Sequence, residues 1–339
     1  MNHHYIPLII IVLLVTLSGC AVTPSPAPRQ DPLIGRIIDS GSSRPVAFDG
    51  LVEAIRDKDV IYLSEKHNNP GHHAAQERVI KDLVGQGLAP FIGFEFFAMD
   101  DTPLLLNFID SKHAKHSAKV DKQMEQILRK KLGWDDQSDE MWAYYYRLLL
   151  LAREHQLGVA GLDLSEAQKR RITRKGIDAL SELEKARLYS TDLDNPIYRD
   201  YMHDIFRQAH CGMDSPRMQA RLYDAWLARN DKMALSITEV RKTHDKGPVI
   251  VIVGGGHTEY NLGVIDRVKS IAPHLSQVNV GLVEINVREK NLPQYLEPLD
   301  LEGFEPVPPY DYLWFFQRVS YENPCERFKE SLKRMKRKK

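Results

Sequence analysis

The sequence predicts an α/β fold, a mostly parallel central sheet flanked by helices with a helical cap or subdomain. Four short apolar runs, rich in β-branched and aromatic residues, each stop abruptly at charged or polar residues, the pattern of strands buried on both faces of a parallel sheet. They are Val60–Leu63 before Ser64-Glu65-Lys66-His67, Phe91–Phe94 before Glu95, Val159–Leu162 before Asp163, and Val249–Val253 before Gly254-Gly255-Gly256-His257. Helical stretches lie between them, and this alternation argues for layered α/β packing. The span from Leu164 to Lys246 reads as nearly all helical and is too long for one crossover, so the cap is expected there.

In chain order, residues 1–19 read as a lipoprotein signal peptide. A short polar start is followed by the apolar run Leu8–Leu17, too short to span a bilayer as a stable helix. Leu17-Ser18-Gly19-Cys20 resembles a bacterial lipobox, which makes Cys20 the expected lipid anchor. Two or three acyl chains, palmitate among them, hold far better than one. Ala21 after the cysteine favours the outer membrane of the cell envelope by the usual sorting pattern. Residues 20–44 form the tether, Pro-rich at Thr23–Pro28 and without a core of its own. The α/β domain runs over 45–325, with 165–246 its largely helical portion, and 326–339 is a basic tail.

Within the domain, helices are expected at His73–Gly85, Lys119–Lys131, Asp139–His155, Glu166–Leu188, Pro216–Thr243 and Tyr260–Ile271, with further strands near Val278–Ile285 and Tyr312–Phe316. Lys plus Arg equals Asp plus Glu at 46 each, so no global field favours nucleic acid. Beyond Cys20 the cysteines are Cys211 and Cys325. An oxidising compartment permits their pairing, and the sequence leaves open whether they meet.

In open α/β sheets the ligand crevice lies beyond the carboxyl ends of the strands. All four polar clusters fall at that end, so Glu65, His67, Glu95, Asp163 and His257 are expected to converge. Glu65, His67, Glu95 and His257 form a plausible set for a divalent metal ion, combining imidazole nitrogen with carboxylate oxygen. The same four residues can serve as catalytic acids and bases in a hydrolase. Gly255 and Gly256 let backbone approach a ligand closely. Neither a dinucleotide fingerprint, a phosphate loop nor a Gly-x-Ser-x-Gly elbow is present. His72-His73 reads as an exposed pair at a helix start. Trp142 and Tyr145, three apart, read as core. Tyr144 and Tyr146 point elsewhere and are freer to meet a planar ligand, and tyrosinate is an established haem ligand.

Five segments in order resemble the ChaN-like haem-binding lipoproteins. They are Ser64-Glu65-Lys66-His67 through His73, Glu95-Phe96-Phe97, Trp142-Ala143-Tyr144-Tyr145, Arg229-Asn230-Asp231-Lys232-Met233-Ala234, and Gly254-Gly255-Gly256-His257 with Tyr260 and Gly263. Ser64 stands where that family usually has Gly. The wider superfamily, with the Tiki and TraB proteins, shares the Glu/His crevice. The resemblance implies an α/β core with a helical portion, haem as cofactor, iron uptake, a homodimer and an outer-membrane receptor as partners. It also implies tyrosine ligation, for which Tyr144, Tyr145 and Tyr146 are the candidates. The alternative it implies is a metal-dependent hydrolase of the envelope, a peptidase or esterase.

Overall fold

The computed structural model describes residues 28–111, 118–188, 195–212, 215–323 and 325–326; Cys20, the signal segment and most of the basic tail lie outside them. Eight strands form one sheet: β1 (Ile37–Asp39), β2 (Arg44–Val46), β3 (Val60–Glu65), β4 (Phe91–Ala98), β5 (Val159–Asp163), β6 (Val249–Gly254), β7 (Gln277–Glu284) and β8 (Tyr312–Phe316). Their order is β2-β1-β8-β7-β3-β6-β4-β5. The six from β8 to β5 run parallel, and β1 pairs antiparallel with both β2 and β8 at one edge.

The central strands are apolar on both faces because helices cover both. Ile61, Leu63, Ile92, Phe94, Ile250 and Ile252 face one layer. It contains α1 (Phe48–Ile55), α2 (Pro70–Gly85), α3 (Thr102–Asp110), α4 (Ala118–Lys131) and α5 (Asp139–Glu154). Val60, Tyr62, Val249, Val251 and Val253 face the other, against Met233, Ala234, Ile237, Val264 and Val268. The second layer follows β5 with α6 (Glu166–Lys175), α7 (Glu182–Lys185), α8 (Pro196–Ala209) and α9 (Pro216–Thr243), and follows β6 with α10 (Val264–Ile271); a short α11 (Leu292–Tyr295) precedes β8. Adjacent parallel strands β3 and β6 therefore send their helices to opposite faces, α2 to one and α10 to the other. That divergence opens a crevice at their carboxyl ends, as at the switch point of other open α/β sheets.

Local chemistry sets the element ends. Pro70 opens α2 under an Asn69 side chain that accepts from Gly71 N, so the helix starts three residues before the expected His73. The predicted Glu166–Leu188 helix breaks at Gly176, whose φ of 90° no helical residue adopts, leaving α6 and α7 separate. Tyr260 and Asn261 have φ of 58° and 56°, so the helix expected from Tyr260 begins only at Val264. Among the described residues no helix is long and apolar enough to cross a membrane.

Candidate functional site

A cavity of about 560 Å³ occupies that crevice, lined by Glu65, Lys66, His67, Glu95, Trp226, Arg229, Gly254, Gly255, Gly256, His257, Tyr310 and neighbouring residues of β7. Glu65 is the last residue of β3, while His67 follows it and Gly254 ends β6. Glu95 was expected beyond the end of its strand and instead lies inside β4, where the register against β5 slips between Phe94 and Ala98. That bulge brings Glu95 to Gly254 N, which donates to Oε2 over 2.6 Å.

Glu65 is completely buried and surrounded by donors. Tyr145 OH donates to Oε1, Gln76 Nε2 to Oε2 at 2.6 Å, and His67 Nδ1 and His73 Nδ1 lie 3.1 and 3.3 Å away. Burial alone raises a carboxyl, but the hydrogen bond from His67 and the charges of His73 and His67 bring Glu65 below its ordinary value. Glu95 is held well below its own: burial opposes, and His257 and Arg229 more than offset it. Arg229 Nη2 reaches Glu95 Oε1 at 2.6 Å and its Nε reaches Asp163 Oδ2 at 2.8 Å, which is how Asp163 joins the cluster. His257 is pushed below 6.5 chiefly by burial, so the lasting cation beside Glu95 is Arg229.

The His257 ring is fixed from two sides. Trp226 stacks on it at 4.3 Å and 11°, and its Nδ1 lies 2.8 Å from Asn230 Oδ1. Asn230 Nδ2 donates to Trp226 O, so its oxygen faces the ring and His257 carries the proton on Nδ1. Nε2 then points to Glu95 Oε1, 3.3 Å away. Gly255 has a steric role: a Cβ there would stand 2.6 Å from Tyr310 OH. Ser64 is buried and ties β3 to Thr258 at 2.7 Å and to Asn279 at 2.9 Å, so the hydroxyl in the usual glycine position adds anchorage.

Several expected roles are corrected. Among the described residues no group of three or more His, Cys, Asp or Glu side chains is arranged to hold a metal ion, so Glu65, His67, Glu95 and His257 do not form the expected cage. Each carboxylate is instead turned to protein donors: Arg229 and Gly254 N bond to Glu95, and Tyr145 and Gln76 bond to Glu65. His72 and His73 are buried rather than exposed. His72 Nδ1 accepts from Lys66 N, and burial drives the ring down to about 3. His73 donates Nε2–H to His67 O at 2.8 Å.

None of the three helix tyrosines lines the cavity. Tyr144 is buried, stacked on His73 at 4.4 Å, with its OH on Glu140. Tyr146 stacks on Trp142 at 5.4 Å, and both phenols are raised to about 12 by burial and by nearby carboxylates. Tyr145 packs among Phe96, Phe97 and Trp134, with its phenol raised well above 10 by burial and by Glu65. Sequence reasoning missed Trp226, Arg229 and Asn230 as site residues. The Arg229–Ala234 segment on α9 carried the signal, since it sets four consecutive polar residues, Arg229 to Lys232, in the middle of a helix with a buried face.

The cysteines meet: Cys211 and Cys325 form a disulfide with a Cα–Cα distance of 5.4 Å.

No curated protein matches the sequence. Among solved structures, the chain is similar to ChaN of Campylobacter jejuni, described with cofacial haem binding: 18% identity, 84% of this chain and 98% of that one, TM-score 0.60. That similarity shows the fold. The chain is also similar to an erythromycin esterase, EreC, in its open conformation, at 14% identity over 78% of each chain and a TM-score of 0.41. The family model described as "Haem-binding uptake, Tiki superfamily, ChaN" matches residues 51–268, from within α1 to within α10. This chain therefore belongs to that haem-binding uptake family.

Proposed function

We propose that the chain binds haem in the crevice between β3 and β6 and serves haem or iron acquisition at the bacterial cell envelope. The observation that carries this reading is the composition of the cavity wall. Among charged side chains of both signs, Trp226, Leu282, Val283 and Tyr310 supply apolar and aromatic surface against which a flat macrocycle can lie. Lys66 Nζ and Arg318 Nη1 share the single carboxylate of Glu284, at 2.7 and 3.5 Å. Two cations on one anion leave positive charge for a propionate.

The envelope part of the reading rests on the lipobox around Cys20 and is supported by the disulfide, because such bonds persist in oxidising compartments. Lipid on Cys20, a homodimer and exchange with an outer-membrane receptor belong to the same proposal. The metal-dependent hydrolase alternative is not carried forward, since a metal on these side chains would have to displace Arg229 and the Gly254 N–H from Glu95.

The test is a haem titration of the full chain purified in detergent from outer-membrane fractions. Saturable binding of one haem per chain, with Kd on the order of 1 μM or tighter, is the expected result. A linear, non-saturating absorbance, or recovery of the chain only from the cytosol, would count against the proposal.

A further inference from the structure

The crevice holds a carboxylate–imidazole pair to which haem binding gives no role. His67 is the open member: its side chain is 41% exposed, whereas His72, His73 and His257 are buried. Its Nδ1 lies 3.1 Å from Glu65 Oε1. A carboxylate only accepts, so Nδ1 carries the hydrogen and Nε2 presents a lone pair. Glu65 is fixed in turn, because Tyr145 OH and Gln76 Nε2 hold its two oxygens. A carboxylate that orients an imidazole and stabilises its cation makes histidine an effective general base. Phe96 steadies the ring edge-on, with centroids 4.5 Å apart at 86°.

A guanidinium lines the same cavity. Arg229 gives its Nε to Asp163 and its Nη2 to Glu95, and its side chain remains 25% exposed. Among the described residues Nη1 has no hydrogen-bond partner. Two carboxylates thus fix the cation and leave N–H groups for an oxygen that gains negative charge. Between base and cation the strand is bare. A Cβ on Gly254 would stand 3.0 Å from His67 Nε2 and 3.3 Å from Glu95 Oε2, and the other oxygen of Glu95 holds Arg229. The glycine therefore leaves clearance for a small molecule beside both groups. Glu65, Glu95 and Glu284 line the cavity and repel a phosphate ester. With one open imidazole to act first as base and then as acid, an alcohol is an easier leaving group than an amine.

We infer that the crevice is a metal-free esterase site for a neutral carboxylic ester, with His67 as general base, Arg229 as donor to the oxyanion and Glu65 as the positioning residue for His67. Water loses a proton to His67 Nε2 as its oxygen bonds to the ester carbon, and the carbonyl electron pair moves onto the oxygen that faces Arg229. The tetrahedral intermediate then expels the alcohol: the bond from carbon to the alcohol oxygen breaks, and that oxygen takes the proton back from His67. The products are the acid and the alcohol, and no further reactant is needed. This activity goes beyond the haem reading and does not depend on it.

The experiment follows hydrolysis of p-nitrophenyl acetate, butyrate and octanoate by the full chain purified in detergent, with EDTA present and haem absent. Saturable turnover of at least one of these esters is the expected result. His67→Ala should keep the circular dichroism melt and lose about 100-fold in kcat/KM. Arg229→Lys, which retains the charge, should lower kcat on the order of 100-fold with KM little changed. Glu65→Gln should lower kcat and move the ascending limb of the pH profile to lower pH. Burial lowers the His67 value, and the bond to Glu65 more than offsets it, with Glu95 of β4, Arg229 of α9 and His72 of α2 also facing the ring. A purely structural role for Glu65 would leave that limb in place. Turnover that EDTA abolishes or that His67→Ala leaves unchanged overturns the inference, as does absence of turnover with all three esters. Saturable haem binding without ester hydrolysis sinks this inference alone, and hydrolysis without haem binding sinks only the haem reading.

Discussion

Glu95 and His257 illustrate how burial shapes acidity residue by residue. Glu95 accepts from Arg229, at 2.6 Å, and from Gly254 N, at 2.6 Å, and its carboxyl is held well below 4.5 although burial opposes this. His257 is held below 6.5, chiefly by burial, with the charge of Arg229 adding to it. Both shifts make the unfolded chain the state that binds more protons in acid. The stability they contribute is complete above 6.5. It begins to fall below that value, where the unfolded His257 takes a proton that the folded one refuses. It falls again below 4.5, as unfolded Glu95 protonates, until the pH passes the folded value. His67 is shifted upward and works in the opposite sense, its share being lost as pH rises through its folded value, but its side chain is 41% exposed and the effect is screened. Urea unfolding is expected to show a lower midpoint at pH 4 than at pH 7, with the lower part of the loss flattened in Glu95→Gln. Equal midpoints at the two pH values would refute the assignment.

At the scale of elements, the contact between β4 and β5 decides where Glu95 goes. Phe94 pairs with Gly161 and Ala98 with Asp163, so four residues of β4 run beside two of β5. The excess is absorbed as a bulge, which turns Glu95 to the crevice and leaves Phe97 buried in the core. The bulge needs an uncluttered neighbour. A Cβ on Gly161 would lie 2.0 Å from Ala98 O, a backbone atom that cannot step aside. Gly161→Ala is therefore expected to cost about 3 kcal/mol, seen as a lower urea midpoint. A loss below about 1 kcal/mol would show that the bulge can relax, and the account of how Glu95 is aimed would fail. The first turn of α2 matters similarly: capped by Asn69, it carries His72 and His73 under the β3 loop, where His73 meets the backbone of His67.

Across the whole molecule, the disulfide joins regions that the sheet does not. Cys211 follows α8 and Cys325 lies beyond β8, 114 residues later in sequence. α8 holds Tyr198, whose OH accepts from Trp226 Nε1 at 3.0 Å, and Trp226 in turn stacks on His257. The segment after β8 carries Arg318 at the cavity rim. One covalent link therefore ties the helical wall of the crevice to its rim. Closing a loop of this length removes chain entropy from the unfolded state, so the Cys211→Ser, Cys325→Ser double variant is expected to lose about 2–4 kcal/mol and to expose the segment after β8 to trypsin. Unchanged stability and unchanged cleavage would mean that the link is dispensable.

The sequence by itself determined the α/β class, the four central strands and the side on which their polar ends lie, because buried parallel strands leave a local signature of apolar runs cut off by charge. It did not reveal β1 and β2, three residues each, which are too short to show a period. Only the tertiary structure decided which groups satisfy the crevice. Arg229 comes to Glu95 across 134 residues, Asn230 to His257 across 27 and Tyr145 to Glu65 across 80. Those partners engage the two carboxylates, draw Tyr145 inward and leave His67 as the most exposed imidazole of the crevice. A residue's type limits what it can bond, but its remaining bonding capacity depends on neighbours that folding brings from elsewhere in the chain.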